Sequence, residues 1–128
     1  MKQRLEALNA RIRKAAERCG RDPETIHLVA VSKTMPAHKV MEAISAGVTT
    51  LGENYIQEAR DKISELSSYP VSWHFIGHLQ RNKAKYAVKL FDLIHSVDSF
   101  KLARELNKHA AKIPKTQDIL IQVNIGEE

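Results

Sequence analysis

Apolar runs suited to β-strands alternate with helical patterns along the chain, and this repeat constrains the fold more than any other feature. Five such runs, rich in β-branched residues, follow one another at a spacing of roughly 20 to 26 residues. We predict strands over residues 26–32, 48–52, 71–76, 93–97 and 118–125. Strands that alternate with helices in this way indicate βαβ units and therefore a parallel sheet.

The segments before and between these strands carry apolar residues at helical spacing. An amphipathic helix is predicted over residues 1–18, with Gly20 just past its end as a C-cap. Pro36 is placed at the start of the next helix, and Gly47 ends it. The remaining helices are predicted around an apolar stripe over 56–66, over a basic segment at about 82–90, and after a cap at Asp98 or Ser99.

Size and composition favour one domain in the cytoplasm. The chain has 128 residues, which is enough for a single hydrophobic core. No apolar run approaches the roughly 20 residues that a membrane-spanning helix needs. The N-terminal segment mixes basic and acidic residues and lacks the apolar region of a secretory signal. We therefore expect a cytoplasmic protein without a membrane partner.

The formal net charge of +5 raises the question of an anionic partner. Most basic residues alternate with acids, as in QEARDKISEL and KLARELNKHAAK, which is typical of solvated helix faces. The one concentrated stretch is QRNKAKYAVK, where Arg81, Lys83 and Lys85 surround a single aromatic residue. A solvated face is the favoured interpretation of this stretch as well, with nucleic-acid or anion binding as the alternative.

Polar residues follow the predicted strands, and their distribution bears on how the sheet closes. The strand ends carry Ser32-Lys33, Glu53-Asn54, Gly77-His78, Ser96 and Asn124. A (β/α) barrel collects functional residues from the carboxyl ends of several strands, whereas an open doubly wound sheet gathers them at one switch point. We therefore predict an α/β fold with a parallel barrel, of which about five of eight strands are present. An open five-stranded α/β sheet is the alternative.

The lysine that ends the first predicted strand allows two interpretations. Lys33 follows Val29 and Val31 at period two, so the three side chains point to one face. On a barrel interior, Lys33 would lie at the top of a dry core, where burial favours the neutral amine that attacks carbonyls. Such an amine forms a Schiff base with an aldehyde or a sugar ketone. On an exposed edge, Lys33 would be an ordinary strand-end lysine.

Other polar positions are equally open when judged from the residues alone. Asn54 would contact a ligand or cap the following helix. Glu53 would pair with a cation, orient Lys33, or act as a first-turn helix acid. His74 lies within an apolar strand and is typical of a core histidine. The spacing of the histidines does not support a metal site.

Five segments together resemble the pyridoxal phosphate homeostasis protein family, whose members are single-domain relatives of the alanine racemase barrel. In family order, the segments are VAVSKT, GENYIQEA, WHFIGHLQRNK, HSVDS and ILIQVNIGEE. The resemblance implies a fold-type III barrel that holds pyridoxal 5'-phosphate (PLP) as an internal aldimine. It implies no metal.

The resemblance also implies which residues bind the cofactor. The family's cofactor lysine corresponds to Lys33 in VAVSKT, and the asparagine of its GEN motif corresponds to Asn54. His74, Ser96 and Asn124 are expected to line the same mouth of the barrel from later strands. No residue is expected to be catalytic.

Members of this family are regarded as regulators of the vitamin B6 pool without established turnover. The resemblance therefore implies a PLP-binding protein of vitamin B6 homeostasis that is not an enzyme, with a fold-type III racemase-like enzyme as the alternative. The expected partners are PLP and PLP-dependent apo-enzymes, and the oligomeric state is left open. Because family members are longer, we expect residues 1–128 to form a single barrel domain that is C-terminally incomplete and lacks the phosphate-binding part.

Overall fold

The computed structural model describes residues 1–126, in which strands and helices alternate as predicted. Glu127 and Glu128, the last residues of the ILIQVNIGEE segment, lie outside the described residues. The helices are α1 (Lys2–Arg18), α2 (Ala37–Ala46), α3 (Ile56–Glu65), α4 (Ala84–Leu90) and α5 (Phe100–Lys112). The strands are β1 (Ala30–Val31), β2 (Thr50–Glu53), β3 (Ser72–Phe75), β4 (Leu93–Val97) and β5 (Asp118–Ile121).

The strand order decides between the two predicted closures. The strands form one five-stranded sheet in the order β1-β2-β3-β4-β5, and every neighbouring pair is parallel. In a doubly wound sheet the order reverses at a switch point, and the described strands show no such reversal. Because βαβ crossovers are right-handed, a constant order places the connecting helices on one face of the sheet. The predicted barrel arrangement is therefore confirmed, and its doubly wound alternative is wrong.

The helix-covered face of the sheet contains the core. Leu51 and Trp73 pair in register between β2 and β3, and both are buried together with Phe75. They belong to one continuous apolar cluster that includes side chains from α2, α3, α4 and α5. Gly52 and His74 occupy the alternate positions of the same strands and pair with each other. Side chains of adjacent strand residues point to opposite faces, so these two lie on the other side, which we call the inner face.

The outermost strands are shorter than predicted. The ladder of β1 is limited to Ala30 and Val31, although a strand was expected over 26–32. The predicted strand over 118–125 ends at Ile121, and Val123 and Ile125 beyond it are strongly exposed. Each of these strands has one neighbour in the described sheet, so fewer backbone hydrogen bonds extend the ladder. The central strands β2, β3 and β4 lie within two residues of their predicted bounds.

The helix ends follow the expected local chemistry, with small shifts. Gly20 and Gly47 adopt positive φ angles of +74° and +116° just after α1 and α2, where residues other than glycine are strained. Pro36 is the N-cap of α2, one residue before its first turn. Ser99, and not Asp98, caps α5, since its hydroxyl accepts from the Leu102 N–H over 3.2 Å. Within residues 1–126, no helix is both long and apolar enough to cross a membrane.

Candidate functional site

Lys33 lies in a tight turn directly after β1. The Met35 N–H donates to the Ser32 carbonyl over 3.1 Å, and Thr34 adopts a left-handed φ of +63°. The Lys33 side chain is exposed, so among the described residues it is a strand-end lysine and not one enclosed in a dry core. The reason is that no further strand covers the inner face beside β1 in residues 1–126, where Val31 is 54% exposed. The turn presents an accessible amine.

Asn54 occupies the equivalent position after the neighbouring strand. The Ser32 N–H donates to the Gly52 carbonyl over 2.9 Å, which extends the pairing of β1 and β2 toward their carboxyl ends. Lys33 directly follows Ser32, and Asn54 comes two residues after Gly52. Parallel strands end at the same edge of a sheet, so the two residues share the carboxyl edge on adjacent strands.

Gly77 brings the chain after β3 against Asn54. A Cβ atom on Gly77 would lie 2.3 Å from the Asn54 carbonyl oxygen, so a side chain there would force the two segments apart. Asn54 does not cap α3. Tyr55 occupies the N-cap position, and no side chain makes a capping hydrogen bond there. The Asn54 Oδ1 atom is buried and has no hydrogen-bond partner among the described residues. A buried acceptor without a partner carries a desolvation cost, which marks Asn54 as a candidate ligand contact.

A buried ion cluster, formed by Glu53, Glu58, Lys62 and the Ser32 hydroxyl, lies beneath the Lys33 turn. Lys62 Nζ is 3.0 Å from Glu53 Oε1 and 2.7 Å from Glu58 Oε1. The Ser32 hydroxyl donates to Glu53 Oε2 over 2.6 Å. Glu53 is 0% exposed and Lys62 is 6% exposed. Charged side chains are so deeply buried almost only when they are paired, and here the partners come from β2, α3 and the turn.

Sequence reasoning placed Lys62 in a solvated helix face, and this prediction is wrong. Lys62 lies three residues after Ala59 on the apolar side of α3, and both are buried. A lysine at this position within an apolar stripe indicates a buried partner, and Glu58 four residues earlier supplies one. The interpretation of Glu53 as the partner of a cation is confirmed.

The other three predicted site residues lie at different depths in the sheet. His74 lies within β3 and not at its carboxyl end. Ser96 lies within β4, and its buried Oγ atom has no hydrogen-bond partner in the described part of the chain. Asn124 follows β5 by three residues, and its Oδ1 atom accepts from the N–H two residues later over 3.2 Å. A common mouth for all five predicted residues stays a prediction.

His74 and His95 form an imidazole pair on the inner face. His74 Nδ1 lies 3.0 Å from His95 Nε2, so one ring donates a hydrogen bond to the other. Burial lowers the pKa of both imidazoles, and the proximity of His95 lowers the pKa of His74 further, whereas Asp92 opposes that shift. Across residues 1–126, no three side chains of the types that ligate metals come together. With both pKa values lowered, His74 and His95 form a pair of neutral, hydrogen-bonded imidazoles near neutral pH.

This imidazole pair predicts that stability falls in mild acid. Unfolded histidines take up protons near a pKa of about 6.5, whereas the pKa values of His74 and His95 are lowered in the folded chain. Below that pH the unfolded state binds more protons, so the free energy of unfolding decreases as the pH falls. We expect the urea midpoint to decrease between about pH 7.5 and about pH 5.5. The decrease is expected to be smaller in His74→Gln/His95→Gln but unchanged in the exposed control His38→Gln; equal decreases in all three proteins would contradict the prediction.

The basic segment forms a cation-rich surface around Tyr86. The ring centroid lies 4.5 Å from Arg60 Cζ, 5.1 Å from Lys85 Nζ and 5.7 Å from Lys83 Nζ. The Lys85 ammonium is the main cause that lowers the Tyr86 pKa. Arg81, Lys83 and Lys85 are exposed, in agreement with the predicted solvated face. These contacts around Tyr86 do not by themselves indicate that the surface binds nucleic acid.

The sequential parallel strands, the helices on one face and the polar carboxyl edge define a segment of a (β/α) barrel. This is the class of protein in which a ligand site is assembled from the ends of several strands. The chain belongs to the family of the alanine racemase N-terminal domain, whose family model matches residues 3–128.

The predicted resemblance to pyridoxal phosphate homeostasis proteins is also confirmed. A protein of that name from Pseudomonas aeruginosa is 44% identical over 126 residues, which cover 98% of this chain and 55% of the relative. The protein of that name from Escherichia coli strain K12 is 46% identical over 128 residues, covering 97% of this chain and 54% of the relative. The chain thus spans about half the length of these curated relatives.

Solved structures show the same likeness. The structure of PipY from Synechococcus elongatus PCC7942 with PLP bound has a TM-score of 0.80 and 40% identity, and the match covers 91% of this chain and 56% of PipY. The crystal structure of an unknown protein from Bifidobacterium adolescentis has a TM-score of 0.82 and 31% identity, and the match covers 99% of this chain and 56% of that protein.

Proposed function

We propose that this chain binds PLP through a Schiff base to Lys33 and serves vitamin B6 homeostasis without catalytic turnover. The observation that carries the proposal is the accessible Lys33 amine on a defined turn at the carboxyl edge, one strand away from Asn54. The PLP-bound PipY structure and the names of the curated relatives support the same ligand. The Lys33 nitrogen would bond to the aldehyde carbon of PLP, and the aldehyde oxygen would leave as water.

The residues at this edge fit the aldehyde end of such a ligand. The buried Asn54 Oδ1 atom has no partner among the described residues and would accept a hydrogen bond from a donor on the ligand ring. The absence of a side chain at Gly77 allows the chain after β3 to pack directly against the backbone of Asn54. When bound, PLP supplies a reactive aldehyde and an electron-withdrawing ring; the chain supplies the amine and its position.

A role in storage and transfer follows from the same chemistry. An amine of a second protein, such as the lysine of a PLP-dependent apo-enzyme, would displace the Lys33 amine from the aldehyde carbon, and Lys33 would be regenerated. We propose such apo-enzymes as acceptors. We also propose that residues 1–128 act as one PLP-binding domain, since one continuous core joins α2 to α5. The expected cytoplasmic location stays a prediction.

An absorption spectrum with added PLP, followed by borohydride reduction and peptide mass mapping, tests the proposal. We expect a visible imine band and a reduced adduct concentrated on Lys33. Adducts spread evenly over the exposed lysines would contradict it. Pyridoxal, which lacks the phosphate, serves as the comparison ligand and measures how much the phosphate contributes to capture.

A racemase-like enzyme is the rival function, and it predicts a different result. It would exchange the α-proton of alanine with deuterated water in the presence of PLP. We expect no exchange above the rate given by free PLP at the same concentration. Exchange that exceeds this rate and disappears in Lys33→Ala would overturn the non-catalytic part of the proposal.

A further inference from the structure

We infer that Glu58 and Lys62 are positioning residues that hold the backbone on both sides of Lys33 in one conformation. The inference rests on the proposed function of Lys33 as the PLP-binding amine and adds a device that makes this amine selective. Neither side chain touches the ligand edge in this scheme. Both act through the turn.

On the N-terminal side of Lys33, the Lys62 ammonium donates a hydrogen bond to the Ser32 carbonyl. The same ammonium contacts both Glu53 oxygens, at 3.0 and 3.2 Å, and is held by them inside the protein. The Ser32 hydroxyl adds a 2.6 Å hydrogen bond to Glu53. Ser32 is therefore fixed through its side chain and its carbonyl, and it is 4% exposed.

On the C-terminal side, the Glu58 carboxylate accepts a hydrogen bond from the Thr34 N–H. Thr34 has a φ of +63°, which is unfavourable for a β-branched residue and persists only when its surroundings impose it. Glu58 is the side chain that contacts the Thr34 amide. Its Oε1 atom also accepts from Lys62 Nζ at 2.7 Å, so both sides of the turn are tied to one ion cluster.

The charges of the cluster suit this role. The hydrogen bond from Lys62 is the main cause that lowers the Glu58 pKa. Burial opposes this shift but has a smaller effect than Lys62, and the hydrogen bond from the Thr34 N–H lowers the pKa further. Glu58 is therefore ionised near neutral pH and is a strong acceptor. Two contacts of the cluster, to the Ser32 carbonyl and to the Thr34 amide, are made with the backbone neighbours of Lys33.

Glu58→Ala is the decisive variant, because the Glu58 side chain is 28% exposed and its loss does not leave an unpaired Glu53. Asp61→Ala is the matched control: it removes the same charge from an exposed position of α3. Glu58→Gln keeps an oxygen acceptor and serves as the conservative rescue. Lys62→Met/Glu53→Gln, which removes one charge of each sign, tests the other side of the turn.

Two measurements near pH 7.5 separate positioning from general stabilisation. The first is amide hydrogen exchange at Thr34 without PLP, with the buried Ile94 amide as a reference for global opening. The second is the ratio of reduced PLP adduct on Lys33 to adduct on Lys39. In Glu58→Ala we expect Thr34 exchange to rise and the adduct ratio to fall, each about tenfold, because a turn that is less often in the competent state captures less ligand.

The expected pattern is unchanged Ile94 exchange, little effect of Asp61→Ala, and partial recovery in Glu58→Gln. An unchanged adduct ratio in Glu58→Ala, with a parent that labels Lys33 selectively, would overturn the inference. If the parent itself labels lysines unselectively, the proposed function fails. A Thr34 amide that is protected from exchange in the parent and exchanges faster in Glu58→Ala would still establish that Glu58 holds the turn. A Thr34 amide that is unprotected from exchange in the parent would overturn the inference that Glu58 holds the turn, whatever the PLP adduct ratio. If Lys62→Met/Glu53→Gln does not fold, Glu58→Ala alone decides.

Discussion

Replacing Lys33 with alanine is expected to reduce the visible PLP band and the borohydride-trapped adduct to the level given by the other exposed lysines, while the chain stays folded. The loss at position 33 itself should be complete, because alanine has no amine that can bond to the aldehyde carbon. The Lys33 side chain is exposed, so we expect the free energy of unfolding to change by no more than about 0.5 kcal/mol. Absorption spectra and urea unfolding of parent and variant measure the two effects.

Two controls separate the amine from its charge and from surface labelling. Lys33→Arg keeps the positive charge but has no reactive amine, so its band should fall to the same level as that of Lys33→Ala. Lys39→Ala removes an exposed lysine of α2 that pairs with Glu42 at 3.5 Å, and it should retain the band. A band of parental strength in Lys33→Ala, or unfolding of this variant where the parent is folded, would contradict the assignment of Lys33.

The barrel-like order of the strands could be predicted because each part of the repeat is local. Apolar runs, helical spacing and caps are read within windows of a few residues, and β4 was predicted with its observed bounds. The ends of β1 and β5 could not be predicted in this way. Their lengths depend on which strands lie beside them, and pairing on one side supports a shorter ladder than pairing on two.

The site was predictable in position but not in contacts. A polar residue after a buried strand indicates the carboxyl edge, and Lys33 and Asn54 lie there. The pairing of His74 with His95 depends on the register between β3 and β4, which local patterns do not determine. Lys62 was missed because the charges around it are typical of a solvated helix, although its spacing from Ala59 placed it on the buried side.

Lys62→Met is expected to lower the free energy of unfolding by about 3–5 kcal/mol, the usual cost of removing one partner of a buried ion pair. Methionine fills a similar volume but leaves the Glu53 carboxylate, which is 0% exposed, without its cation. The Ser32 carbonyl also loses one of its two donors and keeps the Met35 N–H. Such a loss is a large share of the roughly 5–15 kcal/mol that stabilises a typical domain. Urea unfolding compared with Lys14→Met, an exposed lysine of α1, measures it.

A double-mutant cycle identifies the cause of this loss. Lys62→Met/Glu53→Leu replaces the buried pair by apolar groups, and such replacements are often close to neutral, so we expect the double variant to recover at least about half of the lost stability. The Ser32 hydroxyl would then lose its nearer acceptor and keep only the Gly52 carbonyl at 3.3 Å, which limits the recovery. A cost of Lys62→Met no larger than that of Lys14→Met would mean that the ammonium is solvated and the cluster does not form. Simple additivity of Lys62→Met and Glu53→Leu would mean that the two charges are not coupled, and the turn that carries Lys33 would then lack the rigid support on which its selectivity depends.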